Sequence, residues 1–143
     1  MNKKMNNKGF SLVELIIVIA IMAILIGVLA PTLYKYVQKS KESTDITNLD
    51  TCVNVIQAYY ADKGISSAIV IKKDDSTGCF ATTTDSNAAL VDAKANNSKV
   101  KGAWTTDISA TIGTDGSVTY TGVGKYYQVT GNEFVQITTP PTP

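Results

Sequence analysis

An α+β fold is predicted: a long N-terminal helix, half membrane-spanning and half amphipathic, packed on a small antiparallel β-meander. Three observations predict it. A 24-residue apolar segment runs from Phe10 to Leu33. A stripe of apolar residues three and four apart follows at Ile46, Leu49, Val53, Ile56 and Tyr60. Four short β-type runs separated by turn residues then fill the stretch from Trp104 to Thr138.

The segments divide as follows. Residues 1–9 are polar and basic, with Lys3, Lys4 and Lys8 and no acid. From Leu15 to Ala30, 16 consecutive residues are apolar or Gly, and the wider 10–33 segment is broken only by Ser11, Glu14, Pro31 and Thr32. As a helix it spans about 30 Å of hydrocarbon. An ordinary secretory signal has a core of about 7–15 apolar residues followed by small residues at a cleavage site. Here no such site follows the run, so the segment reads as retained. Its small residues Ala20, Ala23, Gly27 and Ala30 let helices approach closely.

The helix continues over 34–61, with no Gly or Pro between Tyr34 and Tyr60. Lys35–Asp45 is polar and reads as exposed on most sides. Asp62-Lys63-Gly64 is the stop signal. A continuous helix from Phe10 to Tyr60 would be about 77 Å long at 1.5 Å per residue. Pro31 is expected to bend it, because Pro removes a donor and clashes with the preceding turn.

Residues 65–101 read mainly as loop. Ile69-Val70-Ile71 suits a short strand, and Ala88–Ala95 a short helix within the polar stretch Asp74–Lys99. The sheet occupies 103–138. Trp104, Thr106, Ile108, Ala110 and Ile112 alternate with more polar neighbours, and Gly113–Gly116 is a turn. Val118–Thr121 is the second run, Gly122–Gly124 a second turn and Tyr126–Thr130 the third run. Gly131-Asn132 is a two-residue hairpin signal before Phe134–Thr138. Residues 139–143, ending Pro140-Pro141-Thr142-Pro143, form a frayed tail. A lone sheet would leave one apolar face wet, and the helix stripe is its natural cover.

Composition excludes several functions. The 143 residues suffice for one modest domain, and the net charge is +1. All 13 basic residues are Lys, so nothing favours nucleic-acid binding. There is no His, which removes the commonest general base and the commonest metal ligand. No cofactor or metal is expected, and the chain does not read as an enzyme. Cys52 and Cys79 have no zinc-site spacing. They leave two readings open: a disulfide linking the helix to the following loop, which export would favour, or two isolated small apolar side chains. Asp74-Asp75 and Asp115 invite a calcium reading but lack its ligand series, so solvated turns are the better reading. Trp104 and the tyrosines at 59, 60, 120, 126 and 127 suit a core better than a ligand platform. Asn96-Asn97-Ser98 fits a glycosylation sequon.

Glu14 is the residue with chemistry to explain. A carboxylate within a membrane-spanning helix costs about 2.5–3.5 kcal/mol on insertion scales and marks a function. No basic side chain lies between Lys8 and Lys35 to pair with it. Cleavage after Gly9, which the motif resemblance described next implies, would create one cation, the α-amino group of Phe10. In a staggered array of helices, that amine could meet Glu14 of a neighbour, and such a pair favours correct register in a polymer. The plainer alternative is that Glu14 snorkels to the headgroups.

Residues 8–15, Lys-Gly-Phe-Ser-Leu-Val-Glu-Leu, resemble the N-terminal motif of type IV prepilins. The resemblance covers residues 1–33 closely and the rest in outline. It implies removal of leader 1–9 by a membrane peptidase, which cuts between Gly9 and Phe10, and N-methylation of Phe10. It implies that residues 10–33 form a transmembrane and assembly helix, with Glu14 serving assembly and Pro31 the bend, and that 34–143 form an extracellular head. It also implies the partners: further copies of the chain, the prepilin peptidase and methyltransferase, the inner-membrane assembly machinery, and lipid before assembly. Lys, Asn and Ile usage without Arg is similar to that of clostridial and related Gram-positive major pilins. The expected function is a structural pilus subunit supporting adhesion, aggregation or twitching motility. The alternatives are a pseudopilin of a secretion system and a ligand-binding minor pilin.

Overall fold

The computed structural model describes residues 9–82, 87–95 and 98–138. The leader up to residue 8, the tail 139–143 and the Asn96-Asn97 part of the sequon lie outside the described residues. The chain forms two units, residues 1–36 and 37–143. Helix α1 (Leu12–Tyr60) contributes its first part to one and its second to the other.

The first unit is the apolar stretch of α1. Its large side chains from Leu12 to Leu33 are exposed all round. Among the described residues, α1 is the helix long and apolar enough to cross a membrane. Pro31 lies inside the helix, which continues on both sides. Phe10 precedes the helix rather than opening it, and the start at Leu12 has a local cause described below.

In the second unit α1 runs to Tyr60 and ends where the turn residues predict. Gly64 has φ 70° and its N–H donates to the Tyr60 carbonyl at 3.0 Å. That is a left-handed helix cap, which glycine adopts without steric penalty. Six antiparallel strands follow: β1 (Ile69–Lys73), β2 (Phe80–Thr82), β3 (Trp104–Ile112), β4 (Val118–Gly124), β5 (Tyr127–Thr130) and β6 (Glu133–Gln136). Their spatial order is β2-β1-β3-β4-β5-β6. A short helix, α2 (Asn87–Asp92), lies between β2 and β3 in the chain.

The core lies between α1 and one face of the sheet. Leu49, Cys52, Val53 and Ile56 of α1 meet Ile69, Ile71, Phe80, Ile108, Ala110 and Ile112 of the strands, and Leu90 of α2 adds to the cluster. Each fully buried aliphatic side chain of this size contributes about 1.5–3 kcal/mol. Ile46 and Tyr60, expected on the same stripe, are half-buried at its margin.

The sheet departs from expectation in three places. β2 falls within Asp74–Lys99, read above as loop with a helix. Its three residues carry no alternation of their own and are strand only because Lys72 and Lys73 pair with Ala81 and Phe80. Gly122–Gly124, read as a turn, is the end of β4. A Cβ at Gly122 would lie 3.2 Å from the Ile108 backbone, so glycine serves close packing there. β3 keeps its predicted bounds, but its register against β4 slips between Trp104 and Thr106 and between Thr106 and Ser109, leaving Thr106 exposed. The β5–β6 turn is as predicted: Gly131 and Asn132 have φ 62° and 69°, the signs a two-residue hairpin needs. The Asn132 side chain accepts the Tyr120 N–H at 2.8 Å and donates to the Val118 carbonyl at 2.7 Å. It thereby satisfies β4 backbone groups that a neighbouring strand would otherwise take.

Candidate functional site

The N-terminal segment is built from a local sequence rule. Ser11-Leu12-Val13-Glu14 is a capping box: serine precedes the first helical residue and glutamate occupies the third. The Ser11 backbone N–H donates to Glu14 Oε2 at 2.9 Å, and the Leu15 N–H donates to the Ser11 carbonyl at 3.2 Å. Helix start and carboxylate are therefore coupled. Glu14 does not hang free, since it holds the first turn of its own helix. It also places negative charge at the positive end of the helix dipole.

Gly9 and Phe10, just before the cap, are exposed. Nothing lies within 4 Å of a Cβ built on Gly9, and Phe10 is 92% exposed. Both residues of the expected scissile bond are accessible. Downstream, the exposed apolar surface includes Gly27, which is equally unobstructed. This arrangement can present a cleavable peptide, release an amine beside a carboxylate, and bury an apolar helix against lipid or against other helices.

Cys52 and Cys79 are both free and buried in this structure. The Cys52 thiol donates to the Ala95 carbonyl at 3.8 Å and the Cys79 thiol to the Thr77 carbonyl at 3.7 Å, each within its own surroundings. Burial pushes the Cys52 thiol up to about 11.

Asp74 and Asp115 are turn residues. Asp74 accepts from the Ser76 hydroxyl, from the Ser76 N–H at 2.7 Å and from the Thr77 N–H at 3.0 Å. Asp115 accepts from the Ser117 hydroxyl at 2.6 Å and N–H at 3.0 Å. These bonds, the serine hydroxyls first, hold both carboxyls below the usual range. Among the described residues no group of three His, Cys, Asp or Glu side chains could hold a metal.

The aromatic residues divide between core and surface. Phe134 packs edge-on to Trp104 at 6.1 Å and to Tyr120 at 5.5 Å, and Tyr126 is buried. Burial and the neighbouring Asp50, which takes a hydrogen bond from the Tyr120 side chain, push that phenol up to about 12. Tyr59 is exposed, with the Lys63 ammonium 4.0 Å above its ring.

Two residues were missed. Within Lys35–Asp45, expected to be mostly exposed, Glu42 and Asp45 are 1% and 0% exposed. The missed signal was their spacing: Glu42, Asp45, Leu49, Cys52 and Ile56 continue one face at intervals of three and four.

Comparison with known proteins agrees with the N-terminal reading. The prokaryotic N-terminal methylation motif matches residues 4–30. The chain is 37% identical over 57 residues to the type IV major pilin protein PilA of Myxococcus xanthus (strain DK1622), covering 40% of this chain and 26% of that protein. It is 33% identical over 97 residues to the fimbrial protein EcpC of Eikenella corrodens, covering 66% of this chain and 60% of that protein. The matches thus span less than two thirds of either relative. No solved structure matches significantly. The chain carries the prokaryotic N-terminal methylation motif over residues 4–30, at the start of a long helix that is followed by an antiparallel sheet.

Proposed function

We propose that this chain is a structural subunit of a type IV pilus, a non-catalytic protein that polymerises through its N-terminal helix. The observation that carries this reading is the exposed apolar stretch of α1, with Glu14 at its first turn and an accessible Gly9-Phe10 bond just before it. The precursor lies in the membrane with its lysine-bearing leader in the cytoplasm, in line with the positive-inside tendency. Lys35, Lys39 and Lys41 beyond the span weaken that bias without reversing the assignment. A prepilin peptidase cuts after Gly9 and the Phe10 amine is methylated. The assembly machinery then moves the helix from lipid into a bundle of its copies, and the head faces outward. The likeness to clostridial major pilins rests on composition alone.

The test is electron microscopy of filaments sheared from the native cell surface, with mass spectrometry of their main component. The reading expects this chain as that component, beginning at a methylated Phe10. Filaments lacking it, or subunits retaining residues 1–9, would count against the function and the processing respectively.

A further inference from the structure

Glu42 and Asp45 are almost completely enclosed, and the proposed assembly role uses neither. Glu42 Oε1 accepts the Lys125 N–H at 3.0 Å, and its Oε2 accepts those of Tyr126 at 2.9 Å and Tyr127 at 3.1 Å. Asp45 Oδ1 accepts the Lys101 N–H at 2.8 Å, and its Oδ2 accepts the Gly102 N–H at 2.6 Å and the Trp104 indole N–H at 2.9 Å. Neither has a cationic partner among the described residues. A buried carboxylate without a cation persists only where donors replace its lost water, and here three converge on each.

The surroundings are shaped to admit these carboxylates. A Cβ on Gly124 would lie 2.5 Å from Glu42 Oε2, and one on Gly102 would lie 2.8 Å from Asp45 Oδ2. The two side chains hold different segments. Glu42 takes the link from β4 into β5, and Asp45 takes the entry to β3. The sheet's ladders are irregular there. The β3–β4 register slips twice between Trp104 and Ser109, and β4 meets β5 at the single pair Val123↔Gln128. Apolar packing is non-directional, and the main buried cluster meets α1 from Leu49 onward, with Ile46 at its margin; Tyr126 is the one buried aromatic side chain within the segment that Glu42 holds.

We propose that Glu42 and Asp45 are two separate latches: positioning residues that each hold one segment to α1, and each can release its segment while the apolar core stays closed. Proteins open locally in units smaller than the whole fold, and segments joined to the sheet by irregular ladders are candidates for such opening. The inference does not depend on whether the chain polymerises.

Site-resolved amide hydrogen exchange on the full-length chain in detergent tests it. Glu42→Gln keeps the shape but loses the charge. Hydrogen bonds to charged groups are strong enough that exchange at Lys125, Tyr126 and Tyr127 should quicken by about tenfold or more. Lys101, Gly102 and the core amides of Ile71, Ala110 and Ile112 should not change. Asp45→Asn should give the mirror result, at Lys101, Gly102 and the Trp104 indole. No change at a variant's own segment, or a rise across both segments and the core together, would overturn the proposal. The unaltered protein provides a check should a variant fail to fold. In low urea, both segments should exchange by openings with a weaker urea dependence than the core amides. If they exchange only with global unfolding, the latches do not exist.

Discussion

Glu14 Oε2 accepts the backbone N–H of Ser11 at 2.9 Å. The carboxylate proposed to meet a neighbour's amine therefore already has a partner within its own helix. Assembly has to exchange one hydrogen bond for another, or share the carboxylate's two oxygens between them. Glu14 thus has one role in its own helix, the cap, and one that is proposed, the counter-ion.

Glu14→Ala removes both roles. Insertion should proceed or ease, because a membrane-embedded charge costing about 2.5–3.5 kcal/mol is gone. Cleavage should continue, and filaments should be few or absent, because an unpaired buried amine costs several kcal/mol (on the order of 3–5) per subunit. Glu14→Gln separates the roles, because glutamine also closes a capping box. Poor assembly of Glu14→Gln identifies the charge as the essential feature; normal filaments would assign Glu14 to the cap. The measurement is cleavage by mass, then filament counts by electron microscopy with each variant as the only copy.

Removing residues 1–34 should leave a soluble, monomeric head. The core cluster uses α1 only from Leu49 onward, and the cut spares Glu42 and Asp45. Sedimentation should give one monomeric species, and denaturant should unfold it in a single transition. Aggregation would mean that the cut exposes surface the head needs covered.

Tyr120 should make the head sensitive to alkali. Its phenol is raised from 10 to about 12 by burial and by Asp50, so the folded state favours the neutral form. The associated stability is fully present below pH 10 and is lost as pH rises towards about 12. Tyr120→Phe should show a smaller loss of stability over that window than the unaltered head, measured by urea unfolding at each pH. Identical losses would show that Tyr120 does not carry the effect.

The thiols make a fourth prediction. Cys52 is fully buried with its thiol raised to about 11, so about one part in a thousand is thiolate at pH 8. Maleimide should leave Cys52 unlabelled in the folded chain and label it on unfolding. Two thiols per chain should then titrate in denaturant without reductant. None titrating would mean that Cys52 and Cys79 are bonded in the protein as exported.

Much of this protein was legible in its sequence because its determinants are local. The apolar run and the N-terminal motif each work within a few residues of chain, as do the Gly64 helix stop and the Gly131-Asn132 turn; the capping box at Ser11 and Glu14 is equally local, but the structure revealed it. The stripe from Leu49 to Ile56 and the alternation from Ile108 to Ile112 follow from the periods of helix and strand, and they located the core. Tertiary structure alone decided β2, which has no pattern of its own and exists by pairing with β1. It decided that Gly122 and Gly124 extend a strand, because a side chain at either would strike Ile108 or Glu42. It also decided that Glu42 and Asp45 turn inward. Isolated carboxylates belong in water, and these two are buried because distant N–H groups, 56 to 85 residues further along the chain, converge on them. No local pattern announces donors brought from so far, since they exist together only once the sheet has closed on the helix.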